Sequence, residues 1–184
     1  MITPDIFSSH VFQFCRGISA EAVCLVPVEP QNGFEHRACV DNAKAMAARH
    51  GGSVVFGWHI VEWPGVYVEA QPHVVWRQDS GTLLDPTPHG MGFEQIAFLA
   101  DPSLSESAIQ QTISHALVDD PILHAFFEQG RLAQRDHTST GVVSPQTAQR
   151  AGELLELLEA KYKSEPFPAD THAASSQNSS RSES

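Results

Sequence analysis

"SVVFGWHIVEWPGVYVEAQPHVVWRQDSGTLLD", residues 53–85, decides the fold. Two of its runs, SVVFGWHIVEW (53–63) and GVYVEAQPHVVWR (65–77), are dense in Val, Ile, Trp and Tyr. Those side chains suit a pleated, half-buried surface. Pro64-Gly65 turns the chain between the runs, and QDSG (78–81) turns it again into TLLD (82–85). The stretch predicts an antiparallel meander. His73 stands in the middle of its second strand, and Asp85 closes the third, directly before Pro86-Thr87-Pro88.

Upstream the period changes. CVDNAKAMAARH (39–50) is Ala-rich, and Val40, Ala43 and Ala47 share one helical face. Gly51-Gly52 ends that helix. QNGFEHRA (31–38) reads as a loop, and AEAVCLVPVEP (20–30) as a short apolar strand closed by Pro30. Downstream, three segments read as helices: 103–120, with Ser103 and Glu106 as a capping box; 121–136, with Pro121 at its start; and 144–163, with Ser144 as N-cap and Pro145 at N1. From Ser164 the chain is polar and Ser-rich and should be disordered. The expected architecture is one α+β domain over residues 1–163. A central antiparallel sheet packs on the helix that begins at Cys39, with further helices toward the C-terminus and a polar tail over 164–184.

Composition narrows the function. The chain has 184 residues, enough to bury a core. Lys plus Arg is 11 against 22 for Asp plus Glu, a formal charge of −11. No basic patch is available to neutralise phosphates, which argues against nucleic-acid and anionic-membrane partners. That charge also favours neutral or basic substrates over acidic ones. No apolar run is long enough to span a bilayer, and MITPDIFSSHVFQF (1–14) lacks the basic and apolar regions of a secretory signal. Cys15, Cys24 and Cys39 form a sparse, odd set, expected as free thiols in a reducing, cytoplasmic setting.

Cys39 is the candidate nucleophile. It begins a helix, where unpaired N–H groups and the positive dipole end favour a thiolate. An imidazolium beside it would lower the thiol further. His73 can serve as that imidazole, and Asp85, twelve residues on across the QDSG turn, can fix its tautomer. The Cys39 N–H can donate to an oxyanion, with Gln31 or Asn32 as the second donor. Asn42, one turn beyond Cys39, can orient the loop or touch a substrate. Trp58 and Trp76 are core aromatics or the lining of a groove beside His73. Cys15 and Cys24 read as core thiols, and His115 and His124 as helix-surface residues.

Cysteine at a helix start, then a strand bearing His, then a strand ending in Asp resembles the papain-like and transglutaminase-like cysteine hydrolase superfamily. HVVWRQDSGTLLDPTP (73–88) is similar to the His-x-x-Trp … Asp-Pro-Thr signature of transglutaminase-like domains. The layout also resembles small bacterial and phage proteins with Cys-x-x-Asn … Gly-Gly … Gly-Trp … His-x-Val-Trp … Asp-Pro-Thr-Pro. The resemblance covers roughly residues 30–90 and departs from the family at RACVDN (37–42), which has no Trp after Cys39. It implies Cys39 as nucleophile, His73 as base and Asp85 as orienting carboxylate. It further implies a hydrolase, deamidase or acyltransferase acting on a small-molecule, peptide or protein amide or ester, without a cofactor. Two other functions fit the residues. His36, Cys39, His73 and Asp85 can make a four-coordinate zinc site, or a papain-like fold can serve as an inactive binding module.

Overall fold

The computed structural model describes residues 1–106 and 111–162. In chain order these form α1 (Ser9–Arg16), β1 (Val23–Pro27), α2 (Cys39–His50), β2 (Ser53–Trp63), β3 (Tyr67–Arg77), β4 (Leu83–Leu84), β5 (Gln95–Ala100), β6 (Ile113–Ala116), α3 (Pro121–Thr140) and α4 (Pro145–Tyr162). The fold is α+β. Its antiparallel sheet runs β1-β5-β2-β3-β4, with β6 also paired to β3. The β2–β3 hairpin is its spine, in register from Ser53 opposite Arg77 to Trp63 opposite Tyr67. The polar tail expected over 164–184 lies outside the described residues. No helix of the described residues is long and apolar enough to cross a membrane.

The outer edge of β3 is covered only in part. β6 pairs with residues 67–70 and β4 with 76–77. Among the described residues no strand pairs with the outer edge between Gln71 and Val75. Pro72 lies in this gap, where the backbone N–H it lacks is not missed by a neighbouring strand.

Helices cover the sheet in three places. Val11 and Cys15 of α1 pack on Trp58, Ile60, Val68 and Leu99. Ala43 and Met46 of α2 pack on Val74, Trp76 and Leu84. Leu123 and Phe127 of α3 and Leu158 of α4 close over Val66 and Tyr67. Gly57 permits the close approach of β5. A Cβ there would stand 2.3 Å from the Leu99 carbonyl oxygen and 2.7 Å from Phe98 Cζ.

The described residues of the helix expected over 103–120 (103–106 and 111–120) are not helical. Residues 113–116 instead make β6 against the free edge of β3, and His115 lies on that strand, opposite Val68. Unpaired ladder groups on β3 outweigh the weak helical pattern of this segment. Ser103 is not a helix cap either. Its N–H and hydroxyl donate to Asp101 Oδ1, at 3.0 and 2.6 Å. α3 begins at Pro121 behind Asp120, whose carboxylate accepts from the Ile122 N–H at 2.8 Å. It runs past Asp136 to Thr140, where Gly141 adopts the left-handed conformation that stops it. Ser144 caps α4, its hydroxyl accepting from the Thr147 N–H at 3.2 Å.

Candidate active site

The N-terminus of α2 enters the gap in β3. The loop before it is tied to the segment that carries Asp85, just after β4: the Glu29 N–H donates to the Asp85 carbonyl, and the Gln31 N–H to the Pro86 carbonyl. Arg37, just ahead of the helix, is a non-glycine residue at φ 67°. That conformation is costly and persists only where the surroundings impose it. Asn42 supplies part of the constraint. It is buried, and its Nδ2 donates to the Glu35 carbonyl at 2.9 Å and to Thr87 Oγ1 at 3.3 Å.

Cys39 is half-buried and meets His73 and the Val74 backbone N–H. Burial alone would push its thiol up. The hydrogen bond and charge of His73, with the Val74 N–H, outweigh that and hold it below its ordinary value. His73 is buried at mid-β3, opposite Gly57. Its Nε2 lies 2.7 Å from Asp85 Oδ2. An ionised carboxylate only accepts, so Nε2 carries the proton and Nδ1 is the nitrogen left for the sulfur. Burial pulls the imidazole down, but hydrogen bonds to Asp85 and Cys39 and their charges raise it to about 9.

Asp85 is fully buried. It lies just beyond β4, where its N–H donates to the Pro27 carbonyl at 2.9 Å. Its Oδ1 accepts from the Thr87 N–H at 2.9 Å. Its Oδ2 accepts from two imidazoles, His73 and His89, each at 2.7 Å. Burial opposes ionisation, but the bonds from His73, His89 and Thr87 hold the carboxyl below the usual carboxylate range.

Two clefts flank the Cys39–His73 pair. One, of about 400 Å³, is lined by His36, Arg37, His59, His89 and Phe93 among others. The second, of about 360 Å³, is lined by Asp41, Phe56, Val74, Leu104 and Glu106 among others. Cys39 and His73 line both. Arg37 lines both as well; the first cleft adds the imidazoles of His36, His59 and His89, and the second adds the carboxylates of Asp41 and Glu106.

The structure therefore gathers Cys39, His73 and Asp85 and places the other candidates elsewhere. Gln31 Nε2 donates to the Glu29 carbonyl, and Asn32 is exposed. Neither lines either of these two clefts, and Asn42 is spent on the loop and Thr87. Trp58 Nε1 donates to Asp101 Oδ2 at 3.0 Å beneath α1. Trp76 Nε1 donates to the Gly51 carbonyl at 2.9 Å beyond the end of α2. Both indoles are core, outside either groove. The zinc set does not converge either. His36 Nδ1 donates to the Pro88 carbonyl at 2.9 Å. His73 stands between Cys39 and Asp85 and offers each a different nitrogen, so one ion cannot take all four.

Two further imidazoles, absent from the sequence-based set, join the site. His89 follows Asp85 by four residues, and the run DPTPH (85–89) carried that signal. His59 is buried on β2, 5.8 Å from the His73 ring and 5.2 Å from the His89 ring. Among the described residues its Nε2 has no hydrogen-bond partner, and burial pulls the ring down to about 3, so it is neutral. Only the strand register brings it here. No protein-family model, curated protein or solved structure matches the chain.

Proposed function

We propose that the protein is a thiol-dependent hydrolase, deamidase or acyltransferase with a papain-like or transglutaminase-like mechanism. The observation that carries this reading is the use of both His73 nitrogens, one facing the Cys39 sulfur and the other facing Asp85. A lowered thiol beside a raised imidazole stores the proton on His73 and the charge on sulfur. The thiolate attacks the carbonyl carbon of an amide or ester, and the oxygen becomes an oxyanion beside the free N–H groups of the first turn of α2. His73 gives its Nδ1 proton to the leaving nitrogen or oxygen as the bond to carbon breaks, which leaves a thioester on Cys39. Water or an amine then attacks the thioester. His73 takes that nucleophile's proton as the carbon–sulfur bond breaks, and the ion pair is restored. Asp85 stays ionised throughout and holds the ring in one orientation.

Three free thiols fit a reducing, cytoplasmic setting. They also supply an internal comparison. Burial raises Cys15 to about 11 and raises Cys24 as well. Iodoacetamide at pH 7 should label Cys39 well ahead of both, read by peptide mass spectrometry. Equal labelling of the three would remove the basis for this function.

A further inference from the structure

We infer that His73 Nε2, Asp85 Oδ2 and His89 Nε2 form a binding site for one zinc-type divalent cation, which neither requires nor includes the thiol. The three atoms lie within 4.8 Å of one another. Two imidazoles and a carboxylate, with a fourth position left for water, are a donor set that zinc takes readily.

The fit needs small movements. Each imidazole nitrogen stands 2.7 Å from the same carboxylate oxygen. In a tetrahedral site with bonds near 2.0–2.1 Å, neighbouring ligand atoms stand about 3.3 Å apart. Oδ2 must therefore retreat by roughly 0.6 Å from each nitrogen. The Thr87 N–H keeps Oδ1 in place and leaves Oδ2 as the free ligand atom.

The outer contacts of such a site are already in place. Metal-bound imidazoles usually donate their other N–H to a fixed acceptor. For His73 that acceptor is the sulfur of Cys39. His59, buried with an unpartnered Nε2, is close to both rings and offers an acceptor to a metal-bound water. A hydrated ion has a route in, because His59, His73 and His89 all line the cleft of about 400 Å³. A bound cation replaces the proton on His73 Nε2 and leaves the ring neutral. On the thiol reading above, a filled site therefore also silences Cys39.

The test uses the full chain, stripped of metal, titrated with Zn²⁺ alone against a chromophoric chelator. One zinc per chain is expected, with affinity unchanged within about 3-fold in Cys39→Ser, which keeps an acceptor for the other ring N–H of His73, and weakened at least 10-fold in His89→Gln. Ring ¹⁵N shifts of the wild-type chain, which need no variant, should report Nε2 of His73 and of His89 as the coordinated nitrogens. No saturable binding would overturn the site. So would binding that survives His89→Gln and disappears in Cys39→Ser, which would put the metal on sulfur. Iodoacetamide labelling of the metal-free chain keeps the two readings separate. Selective labelling without zinc binding refutes the metal site alone, and zinc binding with unselective labelling refutes the thiol function alone.

Discussion

Replacing Asp85 by Asn is the sharpest perturbation of the site, because the shape is kept and the chemistry is reversed. The carboxylate accepts three hydrogen bonds, from His73, His89 and the Thr87 N–H. An Asn oxygen can keep the bond from Thr87, but its NH₂ then faces two ring nitrogens that were themselves donors. His73 must shift its proton to Nδ1 for Nε2 to accept. That is the wrong tautomer for taking a proton from sulfur. The energetic side is as large. The rise of His73 from 6.5 to about 9 corresponds to about 3 kcal/mol of preference for the imidazolium. At pH 7 a group at about 9 is about 99% protonated, against about a quarter for an ordinary imidazole. Without Asp85, burial acts unopposed by that carboxylate, and Cys39 loses its cationic neighbour. An ordinary thiol is only about 3% thiolate at pH 7. The gain in thiolate is thus capped near 30-fold, and the weaker nucleophilicity of an acidified thiolate trims it. Asp85→Asn should slow iodoacetamide labelling of Cys39 at pH 7 by roughly 10-fold. The deficit should close toward pH 10, where an ordinary thiol ionises unaided. Wild-type labelling at pH 7 in a variant with an unchanged circular dichroism spectrum would refute the coupling of Asp85 to the thiol. So would a deficit that does not shrink with pH.

His59 titrates in the opposite direction. Its folded value, near 3, lies below the unfolded 6.5, so its contribution to stability is full above pH 6.5 and is lost as pH falls toward 3. Between pH 7 and pH 4.5 that loss is about 3 kcal/mol, and His59→Phe should lower acid sensitivity in urea unfolding by about that amount; an unchanged pH dependence would refute it. Gly57→Ala places a Cβ 2.3 Å from the Leu99 carbonyl oxygen. It should cost at least about 2 kcal/mol in urea unfolding, and a neutral result would show that β2 and β5 can separate freely.

Cys39, His73 and Asp85 were legible in the sequence because each sits where an element begins, runs or ends. The helix from Cys39 follows from its Ala-rich face, which Gly51-Gly52 ends, and the hairpin follows from its turns. The sequence pattern does place Trp76 away from the site. It lies three residues from His73 on one strand, and period-2 alternation sends the two to opposite faces. Trp58 needed more, since only its register opposite Pro72 puts it with Val74 and Trp76 under the helices. The same register puts His59 on the side of His73. Local pattern does not encode which residues of two strands stand opposite when no tight two-residue turn fixes the count. Residues 113–116 leave the helical pattern for a different cause: β6 exists because β3 has an edge to fill, and that edge is a property of the assembled sheet.

The same edge explains how a helix on one face of a sheet reaches an imidazole that alternation directs to the other. α2 packs through Ala43 and Met46 on Val74 and Trp76, the face opposite His73. Were the edge of β3 paired throughout, the sulfur would be screened from the ring by a further strand. The break between β6 and β4 removes that screen at Gln71–Val75. It frees the Val74 N–H to meet Cys39. Pro72 has the same strand parity as Val74, so the N–H it lacks is one that would also point into the gap. The clefts follow from this geometry. Gln71 and His59 share the parity of His73 and line the first, while Phe56 and Val74 have the other parity and line the second. Cys39 and His73 border both clefts because they meet at the uncovered rim of β3, where the two faces of the sheet come together.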